Sequence, residues 1–111
     1  MNTTAEGVIS EELFLDRVAA LCAVAGFLAP LGASLLLAVH LDICSDSRTF
    51  SRLFGIAHAL VLREVTELAG NRGLLSIVGR NPRSQRTEFA LTEVSKALLL
   101  RVVSMNPKQA G

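Results

Sequence analysis

The stretch GRNPRSQRTEFALT, from Gly79 to Thr92, sets Arg80, Arg83 and Arg86 around an Asn-Pro pair and then alternates apolar with polar residues. A guanidinium on a turn suits one kind of chemistry well: it pairs with phosphate oxygens through parallel N–H groups and it fits narrow minor grooves. The 111-residue chain has a net charge of only +1, but that total hides a segregated pattern. Residues 1–46 sum to −5, residues 47–86 carry seven arginines against Glu64 and Glu67 for +5, and residues 87–111 add +1. Clustered cations are what a polyanion-binding surface requires, because counterions are released only where several phosphates are neutralised together. The competing reading is plainer, since arginines on a hairpin tip are often simply solvated.

Other chemistries find little support. His40 and His58 are the two histidines, and neither sits in a nucleophile motif. No glycine loop of the phosphate-cradling type is present, and Gly73 reads as a backbone turn. Cys22 and Cys44 are far apart, without metal-ligand spacing, and read as small buried hydrophobes in a reducing compartment. The chain is therefore expected to be neither an enzyme nor a metalloprotein, and no cofactor is implied. The N-terminus lacks a basic segment ahead of an apolar stretch, which argues against a secretory signal and for a cytoplasmic location. Between Val18 and Leu41 there is no Asp, Glu, Lys or Arg. That run could span a bilayer by length, but Gly26, Pro30 and Gly32 interrupt it and no basic cluster flanks it. Two packed helices are expected instead, and no membrane contact.

The elements that must carry the arginines follow from periodicity. Residues 1–9 read as a flexible arm and 105–111 as a flexible tail, around a single domain over residues 10–104. Ser10 caps a first helix with Phe14, Val18, Leu21, Cys22 and Ala25 at helical spacing. A second helix runs from about Leu31 to Leu41. A short third helix, about Ser47 to Phe54, places Phe50, Leu53 and Phe54 inward and Arg48 and Arg52 outward, and Gly55 ends it. A fourth, from near Ala57 to Gly70, has Val61, Val65 and Leu68 on one side and Ala59, Leu62, Arg63 and Thr66 on the other. The period then changes: Leu74–Val78 and Thr87–Leu91 read as strands, with a turn over Gly79–Arg86. Thr92 caps a last helix bearing Val94, Ala97, Leu98 and Val102, with Leu99, Leu100 and Val103 on a second side. The fold class expected is mainly α with a small β-hairpin: a winged helix-turn-helix of about five helices, its helix-turn-helix at about 47–70 and its wing at about 74–91. In that order of elements the second helix of the pair is offered to the major groove and the hairpin reaches the backbone or minor groove beside it.

The motifs ELAGNRGLLSIV and RNPRSQRTEFALTE, within a stretch from about Leu28 to Leu99, resemble the end of the recognition helix and the arginine-bearing wing of MarR-type winged-helix transcription regulators. The resemblance implies a DNA-binding regulator acting on double-stranded DNA as a homodimer. It implies DNA contacts from Arg48, His58, Ala59, Leu62, Arg63, Arg80, Arg83, Gln85 and Arg86, and dimerisation through Phe14, Val18, Leu21, Leu99 and Val103 on terminal helices shorter than is usual in that family. Arg86→Ala would then flatten the salt dependence of binding. The chain departs from the pattern at three places: Asn81 stands where the wing usually has Asp, Ala57 stands where Ser, Thr or Asp usually opens the recognition helix, and AHALVL is mostly apolar where the reading face is usually polar. The alternative is a winged-helix module that docks a protein partner through Ala59–Leu62 and has little or no sequence-specific DNA binding.

Overall fold

The structure, a computed structural model, describes residues 10–104; the expected arm and tail lie outside the described residues. Ser10 Oγ accepts the Leu13 N–H at 3.1 Å and starts α1, Glu11–Val24, with two glutamates in its first turn. The chain breaks at Gly26, and Pro30 occupies the first turn of α2, Pro30–His40, where its missing N–H costs nothing. α2 is the central helix: Gly32, Ala33 and all of Leu35–Ala38 are buried against α1, α4 and α5. The charge-free run of the sequence is thus two helices joined by a turn, and among the described residues no helix is long and apolar enough to cross a membrane.

Asp46 caps α3, Ser47–Phe54, by accepting the Thr49 N–H at 2.9 Å. Gly55 ends it in the left-handed region, at φ 66°, where a side chain would be disfavoured. α4 follows at once as His58–Gly70 and buries Val61, Val65 and Leu68. β1, Leu75–Arg80, pairs antiparallel with β2, Thr87–Leu91, and a bulge at Val78 interrupts the register. On the far side of β2 the loop before α3 adds a short third rung, with Phe89 N–H donating to Ser45 O at 3.0 Å and Asp46 bridged to Glu88. α5, Glu93–Ser104, opens with a reciprocal cap: Ser95 N–H donates to Thr92 Oγ1 and Thr92 N–H to Ser95 Oγ. Thr92 Oγ1 also donates to Gly73 O at 2.8 Å, which ties this helix start to the entry of the hairpin.

Three expectations change. The first strand is longer than Leu74–Val78 and takes in Gly79 and Arg80, because the bulge absorbs Val78 and lets pairing resume as Gly79 to Glu88 and Arg80 to Thr87. Leu53 points outward, 55% exposed. Phe50 and Phe54 stack at 4.1 Å, Phe54 also meets Phe14 at 5.7 Å, and that stripe leaves Leu53 no room inside. On α5 the inward side is Ser95, Leu98, Leu99 and Val102, whereas Val94 and Ala97 face out.

α4 begins at Ala57 without a side-chain cap. Replacing Ala57 by serine is expected to stabilise the protein by about 1 kcal/mol, by giving an orphan N–H of the first turn an acceptor. In thermal melts the midpoint should rise by roughly 4–8 °C.

Candidate nucleic-acid interface

Three elements of different sequence position meet at the start of α3. From its first turn, Arg48 reaches the hairpin tip and donates to Ser84 O from Nη2 at 2.7 Å and from Nε at 3.2 Å. Ser47, 0% exposed, accepts the Thr87 N–H at 2.9 Å and lies 2.8 Å from His58 Nε2 at the start of α4. Asp46 pairs with Arg86 Nε at 3.2 Å across from β2. The hairpin is therefore clamped to the start of α3 at its tip and at the turn-proximal end of β2, and the start of α4 is bound into the same cluster.

The tip itself is ordered by Asn81. Its Oδ1 accepts the N–H groups of Arg83 and Ser84 at 2.9 and 3.1 Å, and its backbone pairs with Gln85 and Arg86. Gln85 takes a left-handed conformation at φ 63°, and its side-chain amide donates to Pro82 O. An aspartate would accept the same two N–H groups, which explains why asparagine serves at this position.

The expected contact residues divide into two sets. Arg48 and Arg86 are engaged within the protein, and Arg80, placed at the end of β1 instead of on the tip, donates from Nε to Thr87 Oγ1 at 3.3 Å. His58 is half-buried and turned toward Ser47. Arg83 on the tip, Arg63 on α4 and Arg52 one turn beyond Arg48 on α3 are exposed, and their side chains make no hydrogen bond or ion pair among the described residues. Ala59 is exposed, Leu62 is half-exposed one turn from His58, and Leu60 adds 47% exposure to this apolar surface. Arg72 belongs elsewhere: it pairs with Glu67 and lies over the Phe27 ring at the far end of α4. The residues that build the clamp, Asp46, Ser47 and Ser84, were not visible as site residues in the sequence. Asp46 directly before the first helical residue is a helix-start signal, but a buried serine whose partner lies 40 residues away has no local signature.

Electrostatics follow from this geometry. Burial pushes the Asp46 carboxyl up, but the Thr49 hydrogen bonds and the Arg86 guanidinium outweigh it, and its pKa falls below the usual value. Burial, helped by the Arg48 charge and opposed by Asp46, lowers the pKa of His58 and favours the neutral ring. Burial and the Asp46 carboxylate push the Cys44 thiol up to about 11. At neutral pH the thiolate fraction of Cys44 is then about 100-fold below that of an ordinary cysteine, so alkylation by iodoacetamide, followed by mass spectrometry, is expected to be slower by a similar factor.

The expected dimer residues are spent elsewhere. Phe14, Val18, Leu21 and Leu99 are buried inside the chain's own core, because α1 and α5 pack on α2 and on each other. Val103 lies on the last turn of α5, and its side chain is outside the described residues. Among the described residues, the large apolar side chains that α1 and α5 leave exposed are Leu15, Val94 and Leu100.

No protein-family model and no curated protein matches the chain. Among solved structures, the chain is similar to a MarR-family transcriptional regulator from Rhodococcus sp. RHA1, with a TM-score of 0.61, 21% sequence identity and 84% of this chain covered. The fold is a MarR-like winged helix. The match spans 64% of the length of the Rhodococcus protein. Within this winged helix, α3 and α4 form the helix-turn-helix and β1–β2 the wing, as the element order alone had suggested. The apolar stretch His58–Leu62 falls at the start of the second helix of that pair, and Arg83 falls on the wing tip.

Proposed function

We propose that the chain is a DNA-binding transcription regulator that sets α4 in the major groove and the wing tip on the backbone or minor groove of a duplex. The observation that carries this reading is the Arg48–Ser84 clamp, which holds the cationic tip against the first turn of α3, where Ser47 also meets His58 at the start of α4. Arg63, Arg83 and Arg52 supply uncompensated charge for phosphates. Ala59 and Leu62 suit contact with thymine methyls, which discriminates among bases less than bidentate hydrogen bonding does. Arg48 and Arg86 act on the duplex mainly by aiming the wing, and Gln85 stands beside Arg83 on the tip. A polarisation titration against a random duplex is expected to show binding that weakens steeply between 50 and 200 mM salt, the mark of phosphate contact. Binding indifferent to salt would reject the reading.

The protein acts as a homodimer in this proposal, through the exposed apolar side chains of α1 and α5. Sedimentation of wild type and of a Leu15→Glu variant tests this, with the variant expected to sediment as a monomer. A second reading is favoured by the exposure of Leu53 and Leu60: the same apolar surface docks a protein, and duplex binding is weak. Recovery of a specific partner, lost with Leu60→Glu, together with an absence of salt-sensitive DNA binding, would decide for it.

A further inference from the structure

His58 occupies the position from which a residue of α4 would be expected to read a base, yet its ring faces into the protein. Ser47 Oγ is fully buried and has two neighbours, the Thr87 N–H and His58 Nε2. The amide can only donate, so the hydroxyl accepts from it. The serine proton then needs an acceptor, and among the described residues His58 Nε2 is the one within reach. The opposite arrangement, with Nε2–H donating, would strand a buried hydroxyl proton. The geometry therefore sets the tautomer: Nδ1 carries the proton and Nε2 accepts.

We propose that His58 is a positioning residue for the wing, acting through Ser47 on Thr87, and that protonation of its ring loosens the hairpin from α3. Protonated Nε2 becomes a donor aimed at a hydroxyl that already faces the Thr87 amide. The hydroxyl proton loses its acceptor, and a cation is placed beside Arg48. The charged groups facing His58 are Arg48 and Asp46 at the start of α3; the first opposes the proton and the second favours it, while Arg86, just before β2, offsets Asp46. The lowered pKa of the ring agrees with a folded state that prefers it neutral. Sensitivity to pH is thereby placed at the turn-proximal end of β2, where Thr87 pairs with Arg80 directly below the tip that meets the duplex. The consequence for DNA rests on the function proposed above; the relay itself does not.

The test uses the whole chain labelled with ¹⁵N, without DNA, from pH 8 to pH 5. The Thr87 amide is expected to shift with the same midpoint as the His58 ring, below 6.5, and its hydrogen exchange, corrected for intrinsic rate, to accelerate about ten-fold. In His58→Gln the side-chain carbonyl accepts from Ser47 at every pH, so the step should vanish while Thr87 stays protected. A Thr87 amide indifferent to titration of the wild-type ring, or a step that persists in His58→Gln, overturns the proposal; the wild-type titration decides even if the variant fails to fold. A second arm measures duplex affinity at constant salt. A histidine that touched phosphate would strengthen binding on acidification, whereas a positioning histidine weakens it, and His58→Gln removes the difference. A duplex that fails to bind at any pH would reject the DNA reading and leave the Thr87 result standing.

Discussion

Asp46→Ala is expected to lower the unfolding free energy by about 2 kcal/mol and the melting midpoint by roughly 10 °C. The carboxylate does two jobs. It caps α3 through the Thr49 N–H, a contribution of about 1 kcal/mol, and it pairs with Arg86 on the wing. The pair adds less than a buried bridge would, since the Arg86 side chain is half exposed. Asp46→Asn keeps the acceptor and loses the charge, so about half the effect should remain. The pH dependence has a definite sign. The carboxyl has a lower pKa folded than unfolded, so its stabilisation is complete above the ordinary value of 3.8 and is lost as pH falls through the folded value. Urea melts at pH 7 and at pH 3 should therefore differ less for Asp46→Ala than for wild type. His58 adds a second slope of the same direction at higher pH: the unfolded ring takes up a proton more readily, so stability declines as pH drops below 6.5.

The second large effect concerns the exposed arginines. Arg83→Ala is expected to reduce the salt slope of duplex binding by about 0.9 and the affinity at 0.1 M salt by roughly eight-fold, with no preference among sequences. The Arg63→Ala, Arg83→Ala double variant should lose roughly twice that slope and leave the melting temperature unchanged, because neither side chain has a partner within the described chain. Arg86→Ala should behave differently: its charge is already offset by Asp46, so it costs stability and moves the slope less. An equal slope change for Arg83 and Arg86 would show that the Asp46 pair opens on DNA. No slope change for Arg83→Ala would remove the wing tip from the interface.

Much of this protein is written in local sequence. Ser10, Pro30, Gly55 and Thr92 act within a turn of their own position, so the starts of α1, α2 and α5 and the end of α3 could be read from residue type. Helical and strand periods carried Val61, Val65, Leu68 and Phe89 to the inside, and the arginine-rich turn announced itself by composition. Which arginines are free could not be read this way. Arg48, Arg83 and Arg86 are chemically alike in the sequence; only the packing of α3 against the hairpin brings Ser84 O to the first and Asp46 to the last and leaves Arg83 without either. The roles of Ser47 and His58 likewise depend on an approach between residues 40 and 11 positions apart. Leu21 and Leu99 were legible as apolar but not as core or interface, since hydrophobicity says that a side chain leaves water and tertiary packing decides what it meets there.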